Sequence, residues 1–371
     1  MTASKTIEGF RQAVDNRYET IARYRKPGQK VLGWMCSYFP EELVSAAGGY
    51  PVRVLGGDST SYSDAYMHIN MCSLVRAVFD EALQGRYGFL DGFATLNTCD
   101  NIRRLFDVWE YFIKTPLTHI LALPHRTSPA SIAYFREELK EFKGMLEQAW
   151  DVRITDDALR QAIAQYNEMR RLLQQLDERR QEGAISGGDF ADVVLAASIL
   201  PKDEFIRRLK GLLSELGGAA PGTGEKYRLI LTGSEMDDSD FVRLLEEKDT
   251  VVVGDDLCTG SKYYWNLTSE KGDPLLALAE RYLNRPPCPR MHDTQKRIDH
   301  VLGLVKSHRA DGVVVEIMRF CKLYDEGNMA LTQGLEAAGV PCLTLSREYS
   351  LTGVGSMRTR IEAFVEGLVG V

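Results

Sequence analysis

Two stretches of this chain, residues 31–124 and 228–345, alternate short apolar runs with amphipathic segments, and this alternation restricts the fold more than any other feature. In the first stretch the runs are Val31-Leu32-Gly33-Trp34-Met35-Cys36, Val52-Arg53-Val54-Leu55-Gly56, Gly88 to Leu96, and His119-Ile120-Leu121-Ala122-Leu123-Pro124. Nearly continuous apolar runs of this length predict strands buried on both faces. Between them, Glu41 to Ala47, Cys72 to Leu83 and Ile102 to Phe112 predict helices, the first stopping at Gly48-Gly49. The second stretch repeats the scheme. Its strands are predicted at Arg228 to Thr232, Thr250 to Gly254, Asp311 to Ile317 and Val340 to Leu345. Its helices start at Asp240 and run over Pro274 to Leu283, Asp293 to Ser307, Gly327 to Ala338 and Met357 to Leu368. Strands that alternate with helices belong to an α/β fold, with a parallel sheet covered on both faces.

The stretch between the two halves differs. Residues 130–216 are dense in charge and helical in period, as in Phe135-Arg136-Glu137-Glu138-Leu139-Lys140, and long helices are predicted at Thr155 to Glu178 and Lys202 to Leu216. One further helix is predicted at Thr6 to Arg25. The chain of 371 residues is thus divided into an N-terminal α/β domain (1–129), a helical region (130–216) and a C-terminal α/β domain (217–371). Gly217-Gly218-Ala219-Ala220-Pro221-Gly222-Thr223-Gly224 reads as the linker. The net charge of −7 offers no footprint for nucleic acid, and no apolar run reaches the ~18 residues of a membrane span. The start, Met1-Thr2-Ala3-Ser4-Lys5, has no apolar core before a small-residue cleavage site, so the cytoplasm is the expected compartment.

That compartment bears on the seven cysteines. Thiols in a reducing cytosol seldom form structural disulfides, and no two here have C-x-x-C spacing. Six of them recur in parallel positions. Cys36 and Cys258 follow strands, Cys72 and Cys288 lie in loops ahead of helices, and Cys99 and Cys321 follow the strands that begin near Asp91-Gly92 and Asp311-Gly312. The gaps are 36 and 27 residues in one half and 30 and 33 in the other. Cys342, inside an apolar strand, reads as a packing residue. Residues far apart in sequence meet beyond the carboxyl ends of parallel strands, and soft thiolates suit iron–sulfur clusters. Three cysteines from one half would hold a cubane with one iron free of protein thiolate. Six would hold two linked cubanes.

These residues resemble the 2-hydroxyacyl-CoA dehydratase and benzoyl-CoA reductase family, most closely its C-type reductase subunits. The resemblance is carried by Gly33-Trp34-Met35-Cys36-Ser37-Tyr38-Phe39-Pro40-Glu41-Glu42-Leu43, Ala46-Ala47-Gly48-Gly49-Tyr50-Pro51-Val52-Arg53 and Cys99-Asp100-Asn101-Ile102-Arg103. Gly233-Ser234-Glu235-Met236-Asp237-Asp238 with Phe241, Asp255-Asp256-Leu257-Cys258-Thr259-Gly260, Arg285-Pro286-Pro287-Cys288-Pro289 and Met357 to Phe364 extend it over nearly the whole chain. It implies two Rossmann-like parallel-sheet domains with a helical insert between them. It also implies an oxygen-sensitive cluster on Cys36, Cys72, Cys99, Cys258, Cys288 and Cys321, with a double-cubane [8Fe–9S] cluster favoured and a single [4Fe–4S] cluster the alternative. The implied partners are an ATP-hydrolysing [4Fe–4S] activator protein that delivers low-potential electrons, and either a homologous larger subunit or a second copy of the chain. A CoA thioester is the implied substrate. Four readings follow: a reductase subunit of the benzoyl-CoA reductase type, a homodimeric double-cubane reductase of small molecules, a 2-hydroxyacyl-CoA dehydratase subunit, and a non-catalytic electron relay.

Other motifs carry weaker signals. Pro221-Gly222-Thr223-Gly224-Glu225-Lys226 lacks the Gly-Lys-Ser/Thr ending of a phosphate loop, so ATP hydrolysis is expected elsewhere. Gly233-Ser234-Glu235 reads either as an anion-binding turn or as a βα turn capped by Asp238 or Asp240. Glu41, Glu348 and Tyr349 are the candidates for moving protons. For Glu41-Glu42 the leading expectation is a solvated first helical turn, and for Arg347 an ion pair with a nearby acid is an alternative to a catalytic role for its neighbours. His292, His300 and His308 drift around a helix and read as a scattered surface set.

Overall fold

The computed structural model describes residues 5–217, 226–350 and 353–368. Among the described residues, eight strands form two parallel four-stranded sheets. The first holds β1 (Val31–Trp34), β2 (Tyr50–Arg53), β3 (Gly92–Leu96) and β4 (Thr118–Leu121) in the order β2-β1-β3-β4. The second holds β5 (Tyr227–Gly233), β6 (Thr250–Asp256), β7 (Gly312–Met318) and β8 (Cys342–Arg347) in the order β6-β5-β7-β8. The two orders are the same order, so the chain does contain two Rossmann-like halves. In each, the strand order reverses between the first and third strands, which is where such sheets open a crevice at their carboxyl ends. β1 and β3 of the first sheet, and β7 of the second, are buried along almost their whole length, as continuous apolar runs require.

Four helices occupy the central stretch: Pro129–Trp150, Asp156–Gln181, Gly187–Ala196 and Lys202–Leu216. The first three start at a serine or threonine whose side chain accepts a backbone N–H, namely Ser128, Thr155 and Ser186. Their apolar faces do not form a core of their own. Phe135, Phe142, Leu173 and Leu209 belong to one continuous core with Val31, Phe93 and Trp109 of the first half and Tyr264 and Leu278 of the second. The second sheet adds one apolar layer on each face, around Phe241 and Ile361 on one side and Val301 and Leu331 on the other.

Some elements differ from expectation. The first helix is two, Lys5–Asp15 and Arg17–Tyr24, broken at Asn16. The strand expected at Val52 to Gly56 lies earlier, at Tyr50–Arg53, because its ladder is set by Val31 pairing with Tyr50. Most of the glycine-rich linker, including the phosphate-loop look-alike, lies outside the described residues. Gly233 closes β5 against β7: a Cβ there would sit 2.3 Å from the Glu316 backbone oxygen. Gly233→Ala is therefore expected to destabilise by about 1–3 kcal/mol, at the upper end because backbone cannot turn aside. Urea unfolding checks this. No helix among the described residues is long and apolar enough to cross a membrane.

Candidate functional site

The carboxyl ends of both sheets face one cavity of about 280 Å³, and Cys36, Cys72, Cys99, Cys258, Cys288 and Cys321 all line it. Cys342 does not. It lies half-buried in β8 against the apolar layer around Val301. Cys36 comes just after β1, Cys258 just after β6, and Cys99 and Cys321 follow β3 and β7. The cavity thus lies on the seam between the halves, and cross-seam bonds hold it. Asn101 gives its amide to the Phe320 carbonyl at 3.2 Å, Arg290 bonds the Asn97 carbonyl at 3.1 Å, and Arg53 pairs with Glu235 at 2.8 Å.

The six thiols fall into two surroundings. Cys72, Cys99 and Cys321 stand at the N-caps of the helices Ser73–Leu83, Asp100–Val108 and Lys322–Ala337. The Cys99 sulfur accepts the Ile102 N–H at 3.3 Å. Helix N-termini favour negative charge, and thiolates are among the anions they attract. Cys36, Cys258 and Cys288 instead lie in loops beside the buried Arg285. Cys36 holds a left-handed backbone with φ 70°, as does Phe320 (φ 64°) just before Cys321. Such strain, unusual for a residue other than glycine, clusters at functional sites.

Burial pushes five of the thiols up, Cys36 to about 12 and Cys72 to about 11, with Cys99, Cys288 and Cys321 also raised. Neighbouring thiols add to this, and the neighbours cross the halves. Cys36 feels Cys258 and Cys288, Cys321 feels Cys72 and Cys99, and Cys99 feels both Cys72 and Cys36. The thiols thus influence one another both within and across the halves, and not only in one triad per half. The chain repeat places equivalent cysteines at equivalent strand ends, and the carboxyl ends of the two sheets face each other across one cavity.

An iron–sulfur cluster is what the family resemblance implies, and this donor set fits one. The donors are soft sulfurs, and metal coordination would deprotonate thiols that burial alone keeps protonated. Tyr38 and Thr98 line the same cavity, and among the described residues their hydroxyls are buried without partners. Among the described residues no three of His, Cys, Asp or Glu converge to hold a single metal ion. Cluster ligands bind different irons and need not converge on one point.

None of the candidate proton carriers lines the cavity. Glu41 and Glu42 are buried, at 2% and 0% exposure, so the expected solvated turn is overturned. Glu41 pairs with Lys202 at 3.0 Å and accepts the Tyr263 hydroxyl at 2.7 Å. Glu42 pairs with Arg170 at 2.5 Å and accepts the Tyr282 hydroxyl at 2.7 Å. Their helix, Glu41–Ala46, is packed against the central helices, which cover what would otherwise face water. Glu348 pairs with Arg319 on the surface. Arg347 is fully buried and pairs with Glu316 at 3.0 Å. The turn after β5 is not open to an anion: Glu316 takes the Ser234 N–H and hydroxyl, and Asp238 caps the next helix, Ser239–Leu245. The histidines do not converge, but they are not a surface set either. His292 is exposed, whereas His308 is buried and bonded to the Leu304 carbonyl, and His300 lies beside Asp256.

The Tyr349 hydroxyl donates to Asp237 at 2.5 Å and accepts the Gly56 N–H at 2.9 Å. Burial pushes the Asp237 carboxyl up to about 6, against the Tyr349 bond and with the help of nearby Glu235. A carboxyl raised on folding stabilises while protonated. Its contribution is full below the usual value near 3.8 and is lost as pH rises through about 6. Asp237→Asn is therefore expected to gain about 2–3 kcal/mol at pH 8 and nothing near pH 4, read by urea unfolding at both.

The sequence profile of the family described as 2-hydroxyglutaryl-CoA dehydratase, D-component, matches residues 36–368. The chain belongs to this family. Among curated members, it is 28% identical to the (R)-phenyllactyl-CoA dehydratase beta subunit of Clostridium sporogenes, over 99% of each chain. It is 27% identical to the beta subunit of (R)-2-hydroxyglutaryl-CoA dehydratase of Acidaminococcus fermentans, over 99% of this chain and all of that one. It is 28% identical to the C-type subunit of benzoyl-CoA reductase of Thauera aromatica, over 81% of this chain and 82% of that one. The family match begins at Cys36 and takes in all six cavity cysteines. Sequence reasoning passed over Arg285 and Tyr38, although both lie inside motifs that carried the resemblance, three and two residues from a cavity cysteine.

Proposed function

We propose that the chain is the iron–sulfur subunit of an ATP-activator-dependent reductase of the benzoyl-CoA reductase type, acting on a CoA thioester in the cytoplasm. The observation that carries this reading is that all six cysteines, and not Cys342, line one cavity. Six thiols in one chamber favour a double-cubane [8Fe–9S] cluster over a [4Fe–4S] cluster. When bound, such a cluster supplies single low-potential electrons. The protein's part is to gather the sulfurs from two sheets, exclude water, and surround them with helix N-termini and a fixed cation. The relatives support a CoA thioester as substrate, since each is named for one, and they support a partner, since each is named as a subunit. The partner proposed is a homologous larger subunit or a second copy, together with an ATP-hydrolysing [4Fe–4S] activator.

A second reading, a 2-hydroxyacyl-CoA dehydratase subunit with one [4Fe–4S] cluster, is favoured by the end-to-end match to two dehydratase beta subunits. Iron and sulfide analysis of anaerobically purified protein separates the two. About eight irons per chain supports the first reading, about four the second, and none sinks both. Electron counting with the activator adds a second test. A reductase consumes electrons in proportion to product, whereas a dehydratase recycles one.

A further inference from the structure

Arg285 is 1% exposed, and it is poorly matched by the protein around it. Its Nη1 donates to the Ser37 carbonyl at 2.6 Å. Nε and Nη2 are buried with no partner, and no carboxylate lies within ion-pair distance among the described residues. Arg170, Arg180 and Arg347 each hold a carboxylate. Arg281 and Arg297, which hold none, each give two guanidinium nitrogens to oxygen acceptors. Arg285 gives one.

A buried charge without a counter-charge carries a large desolvation cost. Two features keep Arg285 in place despite that. Its guanidinium lies over the Tyr38 ring, 3.7 Å from the centroid. It also bonds the carbonyl of Ser37, next to Cys36, and Tyr38 beneath it lines the cysteine cavity, so its charge falls on Cys36, Cys258 and Cys288, the three cavity thiols that have no helix N-terminus. The buried cation is unfavourable alone, and negative charge on the neighbouring sulfurs would relieve it.

We infer that Arg285 is the fixed cation that balances negative charge on Cys36, Cys258 and Cys288, and so sets how readily a cluster held there accepts an electron. This rests on the iron–sulfur reading of the cavity. Net charge and hydrogen bonds to sulfur are the protein's levers on cluster potential. Arg285 brings the first, a fixed charge, while its one hydrogen bond goes to the Ser37 carbonyl. Each added electron raises the negative charge beside the guanidinium, so the cation favours the reduced form. It is a positioning residue, acting through the ligands.

The test uses the full chain, purified anaerobically, with Arg285→Gln and Arg285→Lys beside the unchanged protein. Iron is counted, and the midpoint potential is read by redox titration followed by electron paramagnetic resonance. Arg285→Gln is expected to titrate at a more negative potential, with Arg285→Lys closer to the unchanged protein, since lysine keeps the charge but not the planar fork. Arg285→Gln with full iron and an unchanged midpoint overturns the inference. If Arg285→Gln sheds iron while its circular dichroism is unchanged and Arg285→Lys keeps it, the charge role stands. If both shed iron alike, the residue serves only to pack on Tyr38 and the inference falls. If Arg285→Gln does not fold, Arg285→Lys decides: a midpoint at the unchanged value supports the inference and loss of its cluster overturns it. Absence of iron from the unchanged protein would instead defeat the cluster reading itself, so the two failures are told apart.

Discussion

Cys288→Ser is expected to leave about four of about eight irons per chain, and Cys36→Ser and Cys258→Ser to do the same. Serine offers a hard oxygen where a soft sulfur is needed, so a site that loses one of three thiolates should not keep its irons. The double variants carry the stronger contrast. Cys36 feels Cys258 and Cys288 and shares Arg285 with them. Cys72, Cys99 and Cys321 form the other neighbourhood, at three helix N-caps. Residues that act as one unit are not additive. Cys36→Ser with Cys288→Ser should therefore keep about four irons, and Cys36→Ser with Cys72→Ser should lose nearly all. The reverse result would return the ligands to one triad per half. Cys342→Ser should retain the full count.

That contrast marks where the sequence was readable. The strands were, because a strand buried on both faces is apolar along most of its length, as Val31 to Trp34 is throughout and Gly312 to Met318 is apart from Glu316, whose charge Arg347 meets. The cysteines were readable as strand-end residues, because parallel sheets present their carboxyl ends to one side. What no local pattern contains is which residue of one sheet will face which residue of the other. The repeat suggested triads within halves, and the docking of the halves brings cysteines of one half into the same cavity as those of the other. The same blindness affects Glu41 and Glu42. Two acids opening a helix ordinarily face water. Here the helices Asp156–Gln181 and Lys202–Leu216 bring Arg170 and Lys202 onto them from more than a hundred residues away. Periodicity reports the face that a helix buries, not the charge that waits beneath it. Arg285 was hidden for a related reason: an arginine in a proline-rich loop reads as surface until both sheets close over it.

Glu42→Gln is expected to cost about 3–5 kcal/mol, a large share of the stability of an ordinary domain. Glu42 is wholly buried and Arg170 is 2% exposed, so water cannot replace the lost partner. Glutamine can still accept the Tyr282 hydroxyl, but Arg170 would keep only Asn167 and Thr268, at 3.3 and 3.2 Å, as neutral acceptors. Burial works to raise the Glu42 carboxyl, and Arg170 and Arg281 outweigh it and hold it below the usual range. A carboxyl lowered on folding contributes stability above its unfolded value, near 4.3, and loses it as pH falls through the folded value. Glu42→Gln should therefore flatten the acid side of the stability profile as well as lower its plateau. Replacing both partners, Glu42→Leu with Arg170→Met, should recover much of the loss, because the cost lies in the stranded guanidinium more than in the absent pair. Urea unfolding of the three variants across pH measures this. The pair lies outside the cysteine cavity, so Glu42→Gln should keep its iron for as long as it remains folded. Iron loss and unfolding that coincide in urea would place Glu42 in the seam's support, and iron loss well before unfolding would place it in the site.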